Sequence, residues 1–230
     1  MTQKYLVWDL PVRAFHWSLV IMLSALWYTS EQEGDMVDLH MQLGYVALGL
    51  VLFRLIWGVV GTKHARFGQF VPSFSTLKRY VHASSNNEQA RYAGHNPLGS
   101  LMVVTLLFLV LLQALSGLFI TDDVFSSGPY YGVLNATWEK VMATIHHNLF
   151  DVLLGAIALH IGAVVYYKTV KKKSLVKPMV TGKKDAKEIN PGDDIPHSKL
   201  IIASIVIAAV ICFVYWLVVT NAPVVEELYF

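Results

Sequence analysis

Hydrophobic and polar positions fall into long blocks along this chain, not into the short alternations of a soluble fold. Five apolar runs, 14–30, 39–60, 97–120, 141–167 and 200–220, have the length of a bilayer-spanning helix, the first on the short side. The expected fold class is all-α: an integral membrane helical bundle. Two smaller signals sit in the joins. Phe74, Leu77 and Val81 share a helical face opposite basic residues, which predicts a short helix over 72–82 lying on the membrane surface. A polar loop is expected over 84–89, and Gly94-His95-Asn96-Pro97 opens the third span.

Four histidines interrupt the apolar runs where ionisable groups are costly. His146 and His160 lie fourteen positions apart in the fourth run, which brings their side chains within about 40° of one another on a helix. The same interval separates them by about 21 Å along the axis, suited to one site near each membrane surface. His147 points about 140° away from His160. His16 opens the first run and His40 the second. If the helices alternate in direction, His16 is level with His160 and His40 with His146. Two pairs at two depths are what bis-imidazole ligation of two b-type haems requires, since each iron takes two axial ring nitrogens. The competing reading is four separate histidines, each hydrogen-bonded inside a bundle, or a haem-free channel or transporter that uses them for protons or metal.

Composition narrows this further. Of 230 residues 55% are hydrophobic and the mean hydropathy is +0.49, which excludes an ordinary soluble domain. The net charge of +2 hides a segregation: of 18 Lys and Arg, all but Lys140 fall on one side of the expected membrane. By the positive-inside rule the amino terminus is cytoplasmic and the carboxyl terminus periplasmic, so His16 and His160 sit near the cytoplasm. The lysine-rich stretch 168–187 reads as a topology signal with affinity for anionic lipid, not as a nucleic-acid site. No cleavable leader is expected, because no apolar stretch precedes Arg13. The single cysteine, Cys212, offers neither a disulfide nor a covalent haem attachment, so any haem is held by ligation and packing.

Gly44 and Ala47 follow His40 on its own face, leaving room either for a flat macrocycle or for a close helix contact. Arg54 shares that face fourteen residues on, and Arg13 lies one turn from His16. Each could pair with a haem propionate or snorkel to lipid phosphate. The third span has no internal histidine, so it is expected to pack, with Gly117 allowing close approach.

The collected strings resemble the bacterial cytochrome b561 family, most closely its hydrogenase b-type cytochrome-like branch. They are Val7-Trp8-Asp9-Leu10-Pro11-Val12-Arg13 with Phe15-His16-Trp17, His40 with Gly44-Tyr45, and Phe53-Arg54-Leu55-Ile56-Trp57-Gly58. Ala65-Arg66-Phe67, Gly94-His95-Asn96-Pro97, Gly117-Leu118-Phe119 and the pair His146 and His160 complete the set. The resemblance covers roughly the first 185 residues. It implies a four-helix core binding two b haems, one between His16 and His160 and one between His40 and His146, with 186–230 forming a linker and an additional helix. It also implies electron exchange between membrane quinone and a partner such as a hydrogenase or an extracytoplasmic c-type cytochrome. At His147 the family more often has an acidic residue.

Overall fold

A computed structural model describes residues 3–32, 34–85, 91–122 and 126–223. Five of its helices are long and apolar enough to cross a membrane: α1 (Leu10–Ser30), α2 (Asp35–Val60), α5 (Pro97–Gly117), α6 (Ala136–Thr169) and α8 (Leu200–Tyr215), the last extended by a π-helical turn through Thr220. Between α2 and α5 lie α3 (Phe67–Phe70) and α4 (Phe74–Ser85). After α6 come α7 (Val176–Thr181) and β2 (Lys183–Asp185), which pairs with an amino-terminal strand β1 (Lys4–Leu6).

Local chemistry moves three of the expected helix boundaries. The first helix starts four residues before Ala14, because the Asp9 carboxylate accepts the Val12 N–H at 2.7 Å and Pro11 occupies the first turn, where a missing N–H costs nothing. The fourth starts at Ala136, before Val141, because Asn135 Oδ1 accepts the Trp138 N–H at 3.1 Å and Glu139 stands in the first turn. The third stops at Gly117 instead of continuing to Ile120. Beyond it, the carbonyls of Leu118 and Ile120 accept the N–H groups of Tyr130 and Gly128, so the chain leaves the helix to pair with its own returning loop. The short helix expected over 72–82 is present as α4, shifted to 74–85, with Ser73 Oγ accepting the Thr76 N–H and Phe74 and Val81 exposed. Of the polar loop expected over 84–89, residues 86–89 lie outside the described residues.

The lysine-rich stretch is more ordered than a topology signal requires. β1 and β2 are antiparallel, with Tyr5 opposite Lys184. Gly182, at φ +79°, caps α7 and offers its carbonyl to the N–H groups of Val7 and Trp8 at 2.8 and 3.0 Å. A side chain at Gly182 would meet the Trp8 carbonyl at 2.8 Å, so both its φ and its packing call for glycine. Further on, Ile195 N–H donates to the Leu6 carbonyl, and Lys63 pairs with Asp193 at 2.9 Å.

The chain forms two compact units. The first comprises Met1–His16, Arg54–Leu106 and Ala156–Val206; the second comprises Trp17–Phe53, Leu107–Gly155 and Ile207–Phe230. Buried in the first are Val7, Trp8, Trp57 and Ala65, together with the polar Asp9, Arg54 and Thr62. Buried in the second are Ala47, Leu48, Val51, Val110 and Leu153. Within that second unit, Tyr130 Oη donates to the Leu217 carbonyl at 3.0 Å, fastening the end of the last helix to the loop before α6.

Candidate functional site

In the second unit, His40 on α2 and His146 on α6 face one another with ring centres 6.4 Å apart and planes at 81°. Each ring is held by one nitrogen. Thr29 Oγ1 on α1 lies 3.0 Å from His40 Nδ1, and the same hydroxyl sits 3.0 Å from the Ala25 carbonyl. A hydroxyl has one proton; given to the carbonyl, it leaves the oxygen to accept, so the network assigns the proton to His40 Nδ1. His146 Nδ1 lies 3.0 Å from the Gln113 carbonyl, which only accepts, so this nitrogen also carries the proton. In both rings the lone pair is thereby directed to Nε2, the tautomer a metal-binding histidine needs.

α5 contributes more here than packing. Gln113 Nε2 donates to the His146 carbonyl at 2.8 Å, and Ser116 Oγ stands 3.2 Å from His146 Nδ1. Gly117 lies against the same ring: a Cβ there would come within 2.9 Å of His146 Cε1. Gln113, Ser116 and Gly117 thus form an i, i+3, i+4 stripe that seats His146. A Cβ at Gly44 would meet nothing within 4 Å, so the space beside it is open. His147 is exposed, with its ring edge-on to His146 at 6.1 Å.

The first unit brings His16 on α1 within electrostatic reach of His160 on α6. Its surroundings are cationic. Arg54 on α2 is 2% exposed and turned under the rings of Phe67 and Phe70, with its guanidinium carbon 4.9 and 5.8 Å from their centres. Arg13 donates from Nη1 to the Val180 carbonyl at 2.6 Å. Asp9 is the buried carboxylate of this cluster; its oxygens receive the Val12 N–H, the Trp57 indole N–H at 3.3 Å and the Thr62 hydroxyl. His95, just before α5, packs on Trp8 at 4.6 Å and Phe70 at 5.0 Å. Burial, aided by Arg54 and Lys184, pushes its pKa down to about 3, so the ring is neutral. Burial also lowers His64, against the raising effect of its bond to the Asp193 carbonyl, and lowers Lys184, whose Nζ donates to the Tyr92 carbonyl.

A b-type haem fits these residues. Two imidazoles whose nitrogens each approach one ion to about 2 Å have ring centres roughly 6 Å apart, and His40 and His146 are spaced that way. In the first unit, buried nitrogens of Arg13 (Nε), Arg54 (Nη1) and His95 (Nδ1) have no hydrogen-bond partner among the described residues, as befits groups that meet a bound acid.

The expected histidines therefore fall two to a unit. Sequence reasoning missed Thr29, Gln113 and Ser116, which orient the rings, and Asp9 and His95, which organise the cationic cluster. The stripe on α5 was available as three non-apolar positions on one face at the end of a largely apolar helix.

An apolar bundle with half-buried histidines two to a unit, one pair oriented through Nδ1, has the construction of a membrane-embedded b-type cytochrome. The sequence model of the prokaryotic cytochrome b561 family matches residues 7–182, and the chain belongs to that family. It is a multi-pass membrane b-type cytochrome of electron transfer. It is 25% identical over 219 residues to a probable Ni/Fe-hydrogenase B-type cytochrome subunit of Rhodobacter capsulatus, covering 79% of this chain and 82% of that one. A protein of the same description from Rhizobium leguminosarum bv. viciae is 23% identical over 213 residues, covering 79% and 89%.

Proposed function

We propose that this protein carries electrons between membrane quinone and a redox partner through two bis-histidine b haems, one held by His40 and His146 and one by His16 and His160. The observation that carries the reading is the facing pair His40 and His146, with Nδ1 of each ring occupied by a neighbour and Nε2 directed elsewhere. Haem supplies the one-electron iron couple when bound. The chain supplies the axial nitrogens, the fixed tautomers and a low-dielectric housing.

Arg54 and Arg13 balance propionate charge in the first unit, and the open space beside Gly44 admits the macrocycle edge in the second. Residues 1–185 form the haem-binding domain, and 186–230 add a strap and one more helix. The protein lies in the bacterial inner membrane with the amino terminus cytoplasmic and the carboxyl terminus periplasmic, a reading that rests on the Lys and Arg bias of its loops. The relatives' descriptions favour a hydrogenase over an extracytoplasmic c-type cytochrome as the redox partner. The test is a reduced-minus-oxidised optical spectrum of the purified protein, followed by quinol oxidation or quinone reduction with the co-purified partner. A featureless difference spectrum would instead favour a haem-free channel or transporter.

A further inference from the structure

Arg54 Nη1 and His95 Nδ1 are buried nitrogens without a hydrogen-bond partner among the described residues. Arg54 is always protonated and is 2% exposed within a membrane span, a costly placement that calls for acceptors around it. Asp9 lies within electrostatic reach of it but is engaged by Val12, Trp57 and Thr62, and among the described residues no carboxylate comes within salt-bridge distance of Arg54. Cation–π contact with Phe67 and Phe70 covers the guanidinium faces and does not serve its N–H groups, and Nη1 has no hydrogen-bond partner among the described residues.

Phe70 links this group to His95. The ring of Phe70 is 5.8 Å from the Arg54 guanidinium carbon and 5.0 Å from the His95 ring. His95 Nδ1 is likewise buried without a partner among the described residues. The groups with electrostatic influence on His95 are Arg54, Lys184, His64 and His160, all cationic or neutral. Glu188 answers Lys184 electrostatically, whereas Arg54 has only the already engaged Asp9, and a neutral imidazole adds an N–H without adding charge. The missing group is therefore a buried acceptor carrying negative charge, next to a histidine that the preceding reading makes an axial ligand.

We propose that His95 is a propionate anchor, which together with Arg54 holds one carboxylate of the haem ligated by His16 and His160. The proposal rests on the two-haem reading above. Lowering of the His95 pKa by burial agrees with its role as a neutral donor, in which an N–H completes what the guanidinium begins. His95 positions the cofactor and is not an axial ligand, so its loss should leave the haem count at that of the wild type.

The experiment uses the full-length holoprotein with haem labelled by carbon-13 at the propionate carboxyls, observed by reduced-minus-oxidised infrared difference spectroscopy beside a redox titration. In His95→Phe the labelled carboxylate band should shift and the potential of one haem should change, with the haem count retained. His95→Asn, which keeps an N–H near the position of Nδ1, should restore both. Should His95→Phe fail to fold, His95→Gln, whose amide reaches elsewhere, takes its place against His95→Asn. A labelled band that moves in Arg54→Gln but not on removing the His95 donor would overturn the proposal and leave His95 as packing. A band that keeps its position in every variant would mean that a free anion or none answers Arg54, which also overturns it. Wild-type protein lacking haem would instead sink the earlier reading, and this one with it.

Discussion

The two units treat their histidines differently. Around His40 and His146 the hydrogen-bonding neighbours shown among the described residues are uncharged: a threonine hydroxyl, a backbone carbonyl, a serine and a glutamine, all bearing on ring orientation. In the unit of His16 and His160 the polar groups turned inward are Arg54, Arg13, His95 and Asp9, and they bear on charge. One unit is built to aim ligands, the other to neutralise an acid. A di-haem protein in which both centres were held alike would have little reason to differ in this way, so the contrast predicts distinct responses to mutation.

The largest effect should come from removing a ligand. His146→Ala should abolish one haem and leave the other, as His160→Ala should in the opposite sense, whereas His147→Ala should keep both. Haem-to-protein ratios of the three variants check this, and loss of both haems from a folded single variant would break the independence of the units. Next comes Thr29→Val, which keeps the shape of the side chain but withdraws the oxygen that holds His40. A lost outer partner of this kind weakens metal affinity by about 10–100-fold, and competition with apo-myoglobin should register it for one haem only.

A smaller, purely electrostatic effect is expected from Arg54→Gln. Taking a positive charge from the first unit should lower the potential of one haem, with the other unmoved in the same titration. Smallest of all is the strap. The hydrogen bond from Lys63 holds the Asp193 carboxyl below its ordinary range, outweighing what burial does in the other direction. A depressed carboxyl stabilises the fold above its unfolded pKa of about 3.9 and loses that contribution as pH falls through the folded value. Both partners are partly exposed, so Asp193→Asn should cost about 0.5 kcal/mol or less. Hydrogen exchange over 183–198 should quicken slightly in that variant at neutral pH, and lose part of its acid dependence.

What was legible in the sequence depended on how local the signal was. An apolar run of span length reveals itself, and four histidines inside such runs pair by helix rise alone. The strand pair escaped because Lys183 and Lys184 read as loop residues, and their partner lies almost 180 positions away. Gln113 and Ser116 escaped because a polar residue in a span shows its purpose only when its neighbour is known. Asp9 lies in the stretch Val7 to Arg13, yet nothing local says that one carboxylate caps α1 and also receives Trp57 from α2 and Thr62 from beyond it.

The central claim, that each unit houses its own bis-histidine haem, is tested most directly by the haem b content of the purified wild-type chain, measured as the pyridine haemochrome against protein determined by amino-acid analysis. Two haems per chain are expected, resolved as two one-electron steps in redox titration. A ratio of one would mean that only one of the two histidine pairs binds iron, and a ratio of zero would contradict the account altogether.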